Sequence, residues 1–216
     1  MKIGVFDSGI GGLSVAIALK NAYPSVEVIF KNDQKNVPYG DKPLETIYSF
    51  SRPIIEELIK KDNCDIIVVA CNTVSTNFAS RLRKEYKVPI VAIEPMVKPA
   101  TLATKTKVIT VCATPRTLES KQYKILKQKY AQNIKIYEPD CSKWSQMIES
   151  NQIDEDCISN IVEESCLLGS DQFVLGCTHY HWIEDLIVKK INDRANVMQP
   201  ENAIIKRVGQ IMKQLA

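Results

Sequence analysis

The chain has 216 residues, of which 45% are hydrophobic and 25% are charged. Both fractions are ordinary for a globular protein, and the length allows one large domain or two small ones. The net charge of +3 is too small to indicate a nucleic-acid binder, and no basic run stands out. No apolar stretch approaches the roughly 18 residues of a membrane span, and the first residues lack a signal-peptide pattern. We therefore expect neither nucleic acid nor membrane as a partner, and a cytoplasmic location.

The cysteine pattern argues against a metal site. The seven cysteines are odd in number, form no CxxC pair, and are accompanied by only two histidines. In a reducing compartment we expect mostly free thiols. Five of them are expected to be small buried hydrophobes without chemistry: Cys64, Cys112, Cys141, Cys157 and Cys166.

Strands and helices are predicted to alternate along the first part of the chain. The predicted strands are residues 1–7, 26–30, 65–70 and 88–93, and the predicted helices are residues 13–23, 44–61 and 75–86. A loop rich in Asn, Asp, Pro and Gly occupies residues 31–43. This alternation predicts a parallel sheet covered by helices on both faces.

The segment EPMVKPA at 94–100 interrupts the pattern with two prolines, and the pattern then restarts. The next predicted strands are 107–113, 134–139, 172–176 and an extended 195–200, and the helices are 117–130, 141–150, 153–168, 182–193 and 202–215. We predict an α/β protein of two similar domains, each a mainly parallel sheet flanked by helices, with the active site in the cleft between them. The expected domains are 1–94 plus 199–216, because the last helix can return to the first half, and 95–198.

Two segments of the chain repeat one pattern around a cysteine, and this repeat indicates a reactive site. IIVVACNT at 66–73 and QFVLGCTH at 172–179 each run an apolar strand into a small residue, a cysteine and polar groups. Cys71 and Cys177 stand about half the chain apart. In open parallel sheets, ligands bind at the carboxyl ends of strands, so the two thiols are expected to face each other across a cleft.

A facing pair of thiols can invert a stereocentre. A thiol before a helix N-terminus is biased toward thiolate, so one cysteine can take a proton from carbon while the other returns one to the opposite face. General base catalysis contributes roughly 10²–10⁴-fold, and orientation and preorganised charge must supply the rest. These residues therefore predict racemisation of a small amino acid.

Polar groups near the strand ends are candidates for holding such a substrate. Asp7 can hold an ammonium or a proton beside Cys71, or merely cap the following helix. His179 can do the same beside Cys177, or be only a satisfied core donor. The further candidates are backbone amides and short polar side chains: Ser8, Pro38, Tyr39, Gly40, Asn72, Thr73 and Thr178.

Five motifs, in order, resemble the glutamate racemase family. They are DSGIGGLS at 7–14, VPYG at 37–40, ACNT at 70–73, EPMVKPA at 94–100 and GCTHY at 176–180. The resemblance spans essentially the whole chain. It implies a racemase that needs no cofactor, makes D-glutamate for peptidoglycan, has two α/β domains and forms a homodimer.

The resemblance also implies roles. Cys71 and Cys177 would be the acid–base thiols, acting on the D- and L-isomers respectively, with Asp7 and His179 as their helpers. Glu149 matches a helper glutamate of the second half. The residues implied to hold substrate are Ser8, Pro38, Tyr39, Gly40, Asn72, Thr73 and Thr178.

Some positions depart from the family pattern. Gln34 and Asn36 replace a threonine and an arginine before VPYG, Met96 replaces a common glycine, and His181 and Trp182 follow GCTHY. Two alternatives therefore stay open. One is a racemase of aspartate or another small amino acid, and the other is a catalytically weak regulatory or binding homologue.

Overall fold

Two parallel sheets of four strands each form the framework of the computed structural model, which describes residues 1–215. The strands are β1 (Lys2–Asp7), β2 (Glu27–Asn32), β3 (Ile66–Val69), β4 (Ile90–Ala92), β5 (Val108–Ala113), β6 (Lys135–Tyr137), β7 (Gln172–Gly176) and β8 (Asn196–Met198). The sheets have the orders β2-β1-β3-β4 and β6-β5-β7-β8, with all neighbours parallel. The halves share one topology, and the predicted α/β class is confirmed.

Helices connect and cover these strands. They are α1 (Leu13–Ala22), α2 (Leu44–Lys60), α3 (Asn72–Glu85), α4 (Val97–Ala103), α5 (Pro115–Glu119), α6 (Lys121–Tyr130), α7 (Trp144–Glu149), α8 (Glu155–Leu167), α9 (Glu184–Ile191) and α10 (Glu201–Leu215). A 3-10 helix spans Thr178–Ile183 between β7 and α9.

The first sheet is buried on both faces. Leu19 of α1 and Val208 of α10 pack on one face, while Leu58 of α2 and Val74 of α3 pack on the other. Strand β3 lies inside this sandwich, and all four of its side chains are buried. This explains its unbroken run of β-branched residues, since an inner parallel strand has no solvent-facing side.

The second sheet is built in the same way. Val97 of α4 and Tyr123 of α6 pack on one face, and Trp144 of α7 and Ile158 of α8 lie in the cluster on the other. The inner strand β7 is buried along its whole length. In both halves, therefore, a cysteine follows the carboxyl end of a fully buried strand.

The chain passes twice between the two cores. Ile93 belongs to the core of the first sheet and Val97 to that of the second. Met198 packs on the second core, and Ile204 of α10 lies in the first. The last helix thus returns to the first sheet and packs there beside α1.

Two sequence expectations are corrected by the structure. Residues 94–100 do not simply break the pattern, because α4 begins at Val97 and contains Pro99 in its first turn, where no intrahelical N–H bond is needed. The single helix expected over 117–130 is two helices, α5 and α6. Ser120 separates them in an extended conformation, and its hydroxyl accepts a hydrogen bond from the Tyr123 N–H at 3.1 Å, as an N-cap.

Candidate active site

A closed cavity of about 10 Å³ lies where the carboxyl ends of the two sheets meet. Such a volume holds about one water molecule, so this is a closed form, and the halves would have to separate to admit a larger molecule. Ten residues singled out by sequence line it: Ser8, Pro38, Tyr39, Gly40, Cys71, Asn72, Thr73, Cys177, Thr178 and His179. The geometry thus brings both thiols and most of the predicted polar groups to one place.

Cys71 follows β3 and is the N-cap residue of α3, as the strand–cysteine–helix pattern requires. Its side chain is buried, and its Sγ donates to the Ser8 Oγ at 3.4 Å. Burial raises the pKa of the Cys71 thiol, and the neighbouring Asp7 charge raises it further, against the hydrogen bonds that lower it. The expected bias toward thiolate is therefore wrong for Cys71 in the closed form, because desolvation outweighs the helix terminus.

Cys177 follows β7 and is the N-cap residue of the 3-10 helix. Its side chain is buried, and two polar groups flank the sulfur. The Ser145 Oγ lies 3.6 Å from the Sγ, and the His179 Nδ1 lies 3.7 Å from it. The second thiol therefore has both a hydroxyl and an imidazole within hydrogen-bonding distance, whereas Cys71 has a hydroxyl.

His179 and Glu149 form a buried ion pair behind Cys177. The His179 Nε2 lies 2.5 Å from the Glu149 Oε1. Burial opposes the charge on His179, but hydrogen bonds to Cys177 and Glu149 raise its pKa to about 10. Burial likewise opposes ionisation of Glu149, and the bonds from His179 and Gln34 lower its pKa overall. At neutral pH the pair is imidazolium and carboxylate, with the second imidazole nitrogen facing the thiol.

Glu149 also joins the two halves. It ends α7 in the second half, yet its Oε1 accepts from the Ile10 N–H at 2.9 Å and its Oε2 from the Gln34 amide at 2.7 Å. Both donors belong to the first half. A Cβ on Gly9 would lie 1.9 Å from the Glu149 Oε1, so only glycine permits this approach. Glu149 does not line the cavity, but it reaches the cavity through His179.

Asp7 is fully buried at the end of β1. Its Oδ2 accepts from the Gly12 N–H at 2.6 Å, which fastens the turn before α1, and from the Thr178 hydroxyl at 3.2 Å. Within residues 1–215 its Oδ1 has no hydrogen-bond partner. Burial raises the pKa of Asp7, although the His179 charge opposes this. The carboxyl group both holds the turn and reaches across to the second half.

Tyr39 is fastened by its own loop. Its hydroxyl donates to the Asp33 Oδ2 at 2.6 Å, and the Asn36 amide donates to both Asp33 oxygens at 2.9 Å. Burial, together with the hydrogen bond to Asp33, raises the pKa of Tyr39. The aromatic ring is thus fixed at the cavity as a neutral phenol. Asn36, one of the positions that depart from the family pattern, hydrogen-bonds the same Asp33 carboxylate and so helps to hold the loop.

Two lining residues were missed by sequence reasoning. Thr114 caps α5, and its Oγ1 lies 2.9 Å from the Thr73 Oγ1, which links the two halves. The sequence TPRT at 114–117, a threonine directly before a proline, was a local signal for a helix N-cap here. Ser145 lies in the first turn of α7, and nothing in its local sequence distinguishes it from a packing position.

The arrangement places two thiols, one from each half, on one small cavity. Across residues 1–215 no group of three or more His, Cys, Asp or Glu side chains is placed to hold a metal ion. In the same part of the chain, no helix is long and apolar enough to cross a membrane.

Comparison with known proteins agrees with this geometry. The family model described as Asp/Glu/Hydantoin racemase matches residues 14–200. A glutamate racemase of Hydrogenobaculum sp. is 35% identical over 99% of this chain and 83% of its own length. The glutamate racemase of Escherichia coli, solved in complex with L-glutamate, is 26% identical with a TM-score of 0.89, over 98% of this chain and 82% of that one. The enzyme of Aquifex pyrophilus is 33% identical with a TM-score of 0.76, over 98% and 84% of the two chains. The chain therefore belongs to the Asp/Glu/hydantoin racemase family, as the resemblance of its motifs to glutamate racemases predicted.

Proposed function

We propose that this chain interconverts L- and D-glutamate without a cofactor, by proton transfer between Cys71 and Cys177. The observation that carries the proposal is that the two thiols, supplied by opposite halves, line one closed cavity. A single nucleophile would need only one of them. Inversion needs an acid and a base on opposite faces of the same carbon.

In this mechanism one cysteine enters the reaction as thiolate and the other as thiol. The thiolate removes the α-proton from one face, and the thiol delivers its proton to the other face of the carbanion. Each turnover leaves the two sulfurs with exchanged protonation states. We assign Cys177 to the L-isomer and Cys71 to the D-isomer.

Charge in the site favours the thiolate and the carbanion. The His179 imidazolium faces Cys177, and the ammonium of the substrate adds a second positive charge in a low-dielectric space. Asp7 is not among the cavity-lining residues, but one of its carboxyl oxygens has no hydrogen-bond partner within residues 1–215, and we propose that this oxygen receives the ammonium. We therefore propose Asp7, His179 and Glu149 as helpers of the two thiols.

The remaining polar groups are proposed to hold the carboxylates. Asn72 is buried, lines the cavity, and within residues 1–215 has no partner for either atom of its amide. A buried amide without partners costs about 1–3 kcal/mol, which a bound carboxylate or ammonium would relieve. The further proposed contacts are six more of the cavity-lining residues: Ser8, Pro38, Tyr39, Gly40, Thr73 and Thr178.

We propose that the domains are 1–94 plus 199–216 and 95–198, which the packing of Ile93 and Ile204 with the first core supports. We further propose that the chain is cytoplasmic, forms a homodimer and supplies D-glutamate for peptidoglycan. The named activity of its relatives supports the last point.

The deciding experiment is incubation of the purified chain with L-glutamate in D₂O, with no cofactor added. Optical rotation is followed by polarimetry, and deuterium at the α-carbon is followed by NMR in the same sample. Loss of rotation with deuterium at the α-carbon is the expected result. Cys71→Ser and Cys177→Ser should each abolish racemisation, and Cys157→Ser, at a half-buried thiol outside the cavity, is the matched control.

Aspartate is the comparison substrate. Exchange with aspartate but not glutamate would defeat the substrate assignment while keeping the two-thiol chemistry. Full racemisation by Cys71→Ser or by Cys177→Ser would defeat the two-thiol mechanism. If neither amino acid is racemised or exchanges its α-proton, a regulatory or binding role would be favoured instead.

A further inference from the structure

Ser145 is a buried polar residue that the proposed mechanism has not used. It lies in the first turn of α7, is 3% exposed, and lines the cavity between the two thiols. Helical serines commonly turn their hydroxyl back to a carbonyl one turn earlier. Ser165 of α8 does so, donating to the Ile161 carbonyl at 2.7 Å.

The Ser145 hydroxyl does not bond the carbonyl one turn earlier. Its oxygen lies 3.6 Å from the sulfur of Cys177, where either atom can be the donor, and it is also within reach of the Tyr180 hydroxyl. The carbonyl of Cys141, one turn earlier, instead accepts from the Tyr180 hydroxyl at 2.9 Å and from the Trp144 N–H at 3.1 Å. Buried hydroxyls are normally hydrogen-bonded, and the reacting sulfur is one partner of this one.

We infer that Ser145 is a catalytic residue whose hydroxyl donates a hydrogen bond to the Cys177 sulfur and stabilises it as thiolate. This role rests on the proposed function, because it concerns the thiol that exchanges a proton with the substrate. The Ser145 hydroxyl keeps its own proton throughout. The proton that moves passes between the substrate carbon and the Cys177 sulfur.

The contact is placed to survive opening of the cleft. Ser145 and Cys177 both belong to the second half. Trp144, which precedes Ser145, and Tyr180, which follows Cys177, pack edge to face with ring centroids 5.0 Å apart. Ser8 and Cys71 are likewise both in the first half, with their contact at 3.4 Å. Each half therefore carries its own hydroxyl–thiol pair before the halves close on a substrate.

The two serines reach the thiols by different routes. Ser8 directly follows β1, beside the strand that carries Cys71. Ser145 comes from the segment after β6, which corresponds in topology to the loop after β2 that supplies Tyr39. No repeated sequence motif relates Ser145 to Ser8, and what they share is a contact with a thiol in the folded chain.

The test measures each thiol separately in the Ser145→Ala chain. Iodoacetamide alkylation is followed over a range of pH, and mass spectrometry of the Cys71 and Cys177 peptides gives one rate curve for each. Loss of the donor should slow alkylation of Cys177 near neutral pH by about three- to tenfold and move its curve to higher pH. The Cys71 curve should stay unchanged.

Ser165→Ala is the matched control, because it deletes an equally buried hydroxyl of the same half that bonds a backbone carbonyl. It should leave both curves in place. An unmoved Cys177 curve in Ser145→Ala, or an equal slowing of both thiols, would overturn the inference. Racemisation of glutamate is measured beside it. No exchange by the unmodified chain defeats the proposed function, whereas an unmoved Cys177 curve in an active enzyme defeats only the role of Ser145.

Discussion

The Nε2 of His179 lies 2.5 Å from the Oε1 of Glu149, and that same carboxylate accepts hydrogen bonds from Ile10 and Gln34 of the opposite half. One side chain therefore both holds the imidazolium beside Cys177 and fastens the closed cleft. If the halves separated, Glu149 would lose the hydrogen bonds from Ile10 and Gln34 and would keep only the one with His179. Closure and the charge state behind the second thiol are thus coupled through one carboxylate.

Replacing Glu149 with Gln should weaken catalysis and change its pH dependence. The variant keeps the shape but removes the charge that helps raise the pKa of His179 to about 10. Loss of one charge-assisted hydrogen bond, roughly 1.5–3 kcal/mol, predicts a fall in kcat/KM of about 10- to 100-fold. The alkaline limb of the pH profile should move to lower pH. The enantiomers have equal free energies, so kcat/KM must fall equally in both directions, and an unshifted alkaline limb would contradict the assignment.

Gln34 offers a graded test of the same carboxylate. Its exposed amide donates to the Glu149 Oε2 at 2.7 Å. Gln34→Leu should reduce kcat/KM less than fivefold, because an exposed hydrogen bond to a charge contributes at most about 1 kcal/mol. Gln34→Glu should be worse, since it places a second carboxylate against Glu149. Equal activities of the two variants in steady-state assays would show that the contact has no part in closure.

Stability should depend on pH through His179. Its pKa is raised from 6.5 to about 10 in the folded chain, so its contribution is fully present below 6.5 and is lost as pH rises through 10. The free energy of unfolding should therefore differ most between the unmodified chain and Glu149→Gln at pH 6.5, and least at pH 10. Denaturant titrations under reducing conditions at both pH values measure this. A difference that grows with pH would contradict the direction of the shift.

The return of α10 to the first sheet can be tested by a core truncation. Ile204 is 4% exposed and packs in the first core, so Ile204→Ala should cost about 2–5 kcal/mol of unfolding free energy. Lys206→Ala, on the exposed face of the same helix, should change it by less than about 0.5 kcal/mol. Equal effects of the two changes, measured by urea unfolding, would mean that α10 contributes little to the core.

The sequence alone was sufficient for the repeated architecture and for the position of both cysteines after buried strands. Buried parallel strands such as IIVV and QFVLG are nearly continuous apolar runs, and this local pattern survives without knowledge of the fold. A cysteine directly after such a strand must lie at its carboxyl end. The break at Ser120 was not predicted, because a serine between two helical patterns can continue a helix or cap a new one, and the local pattern is the same in both cases.

Tertiary structure decided which groups lie beside the thiols. Nothing in the residues around Ser145 or Gln34 indicates that one faces Cys177 and the other bonds Glu149, since each pair is distant in the chain. It also decided the protonation tendency of Cys71, where the sequence suggested a helix terminus that favours thiolate and burial proved the larger effect. The physical reason is the same in each case. Strand placement follows from the local pattern of apolar residues, whereas hydrogen-bond partners and desolvation depend on what the rest of the chain brings into contact.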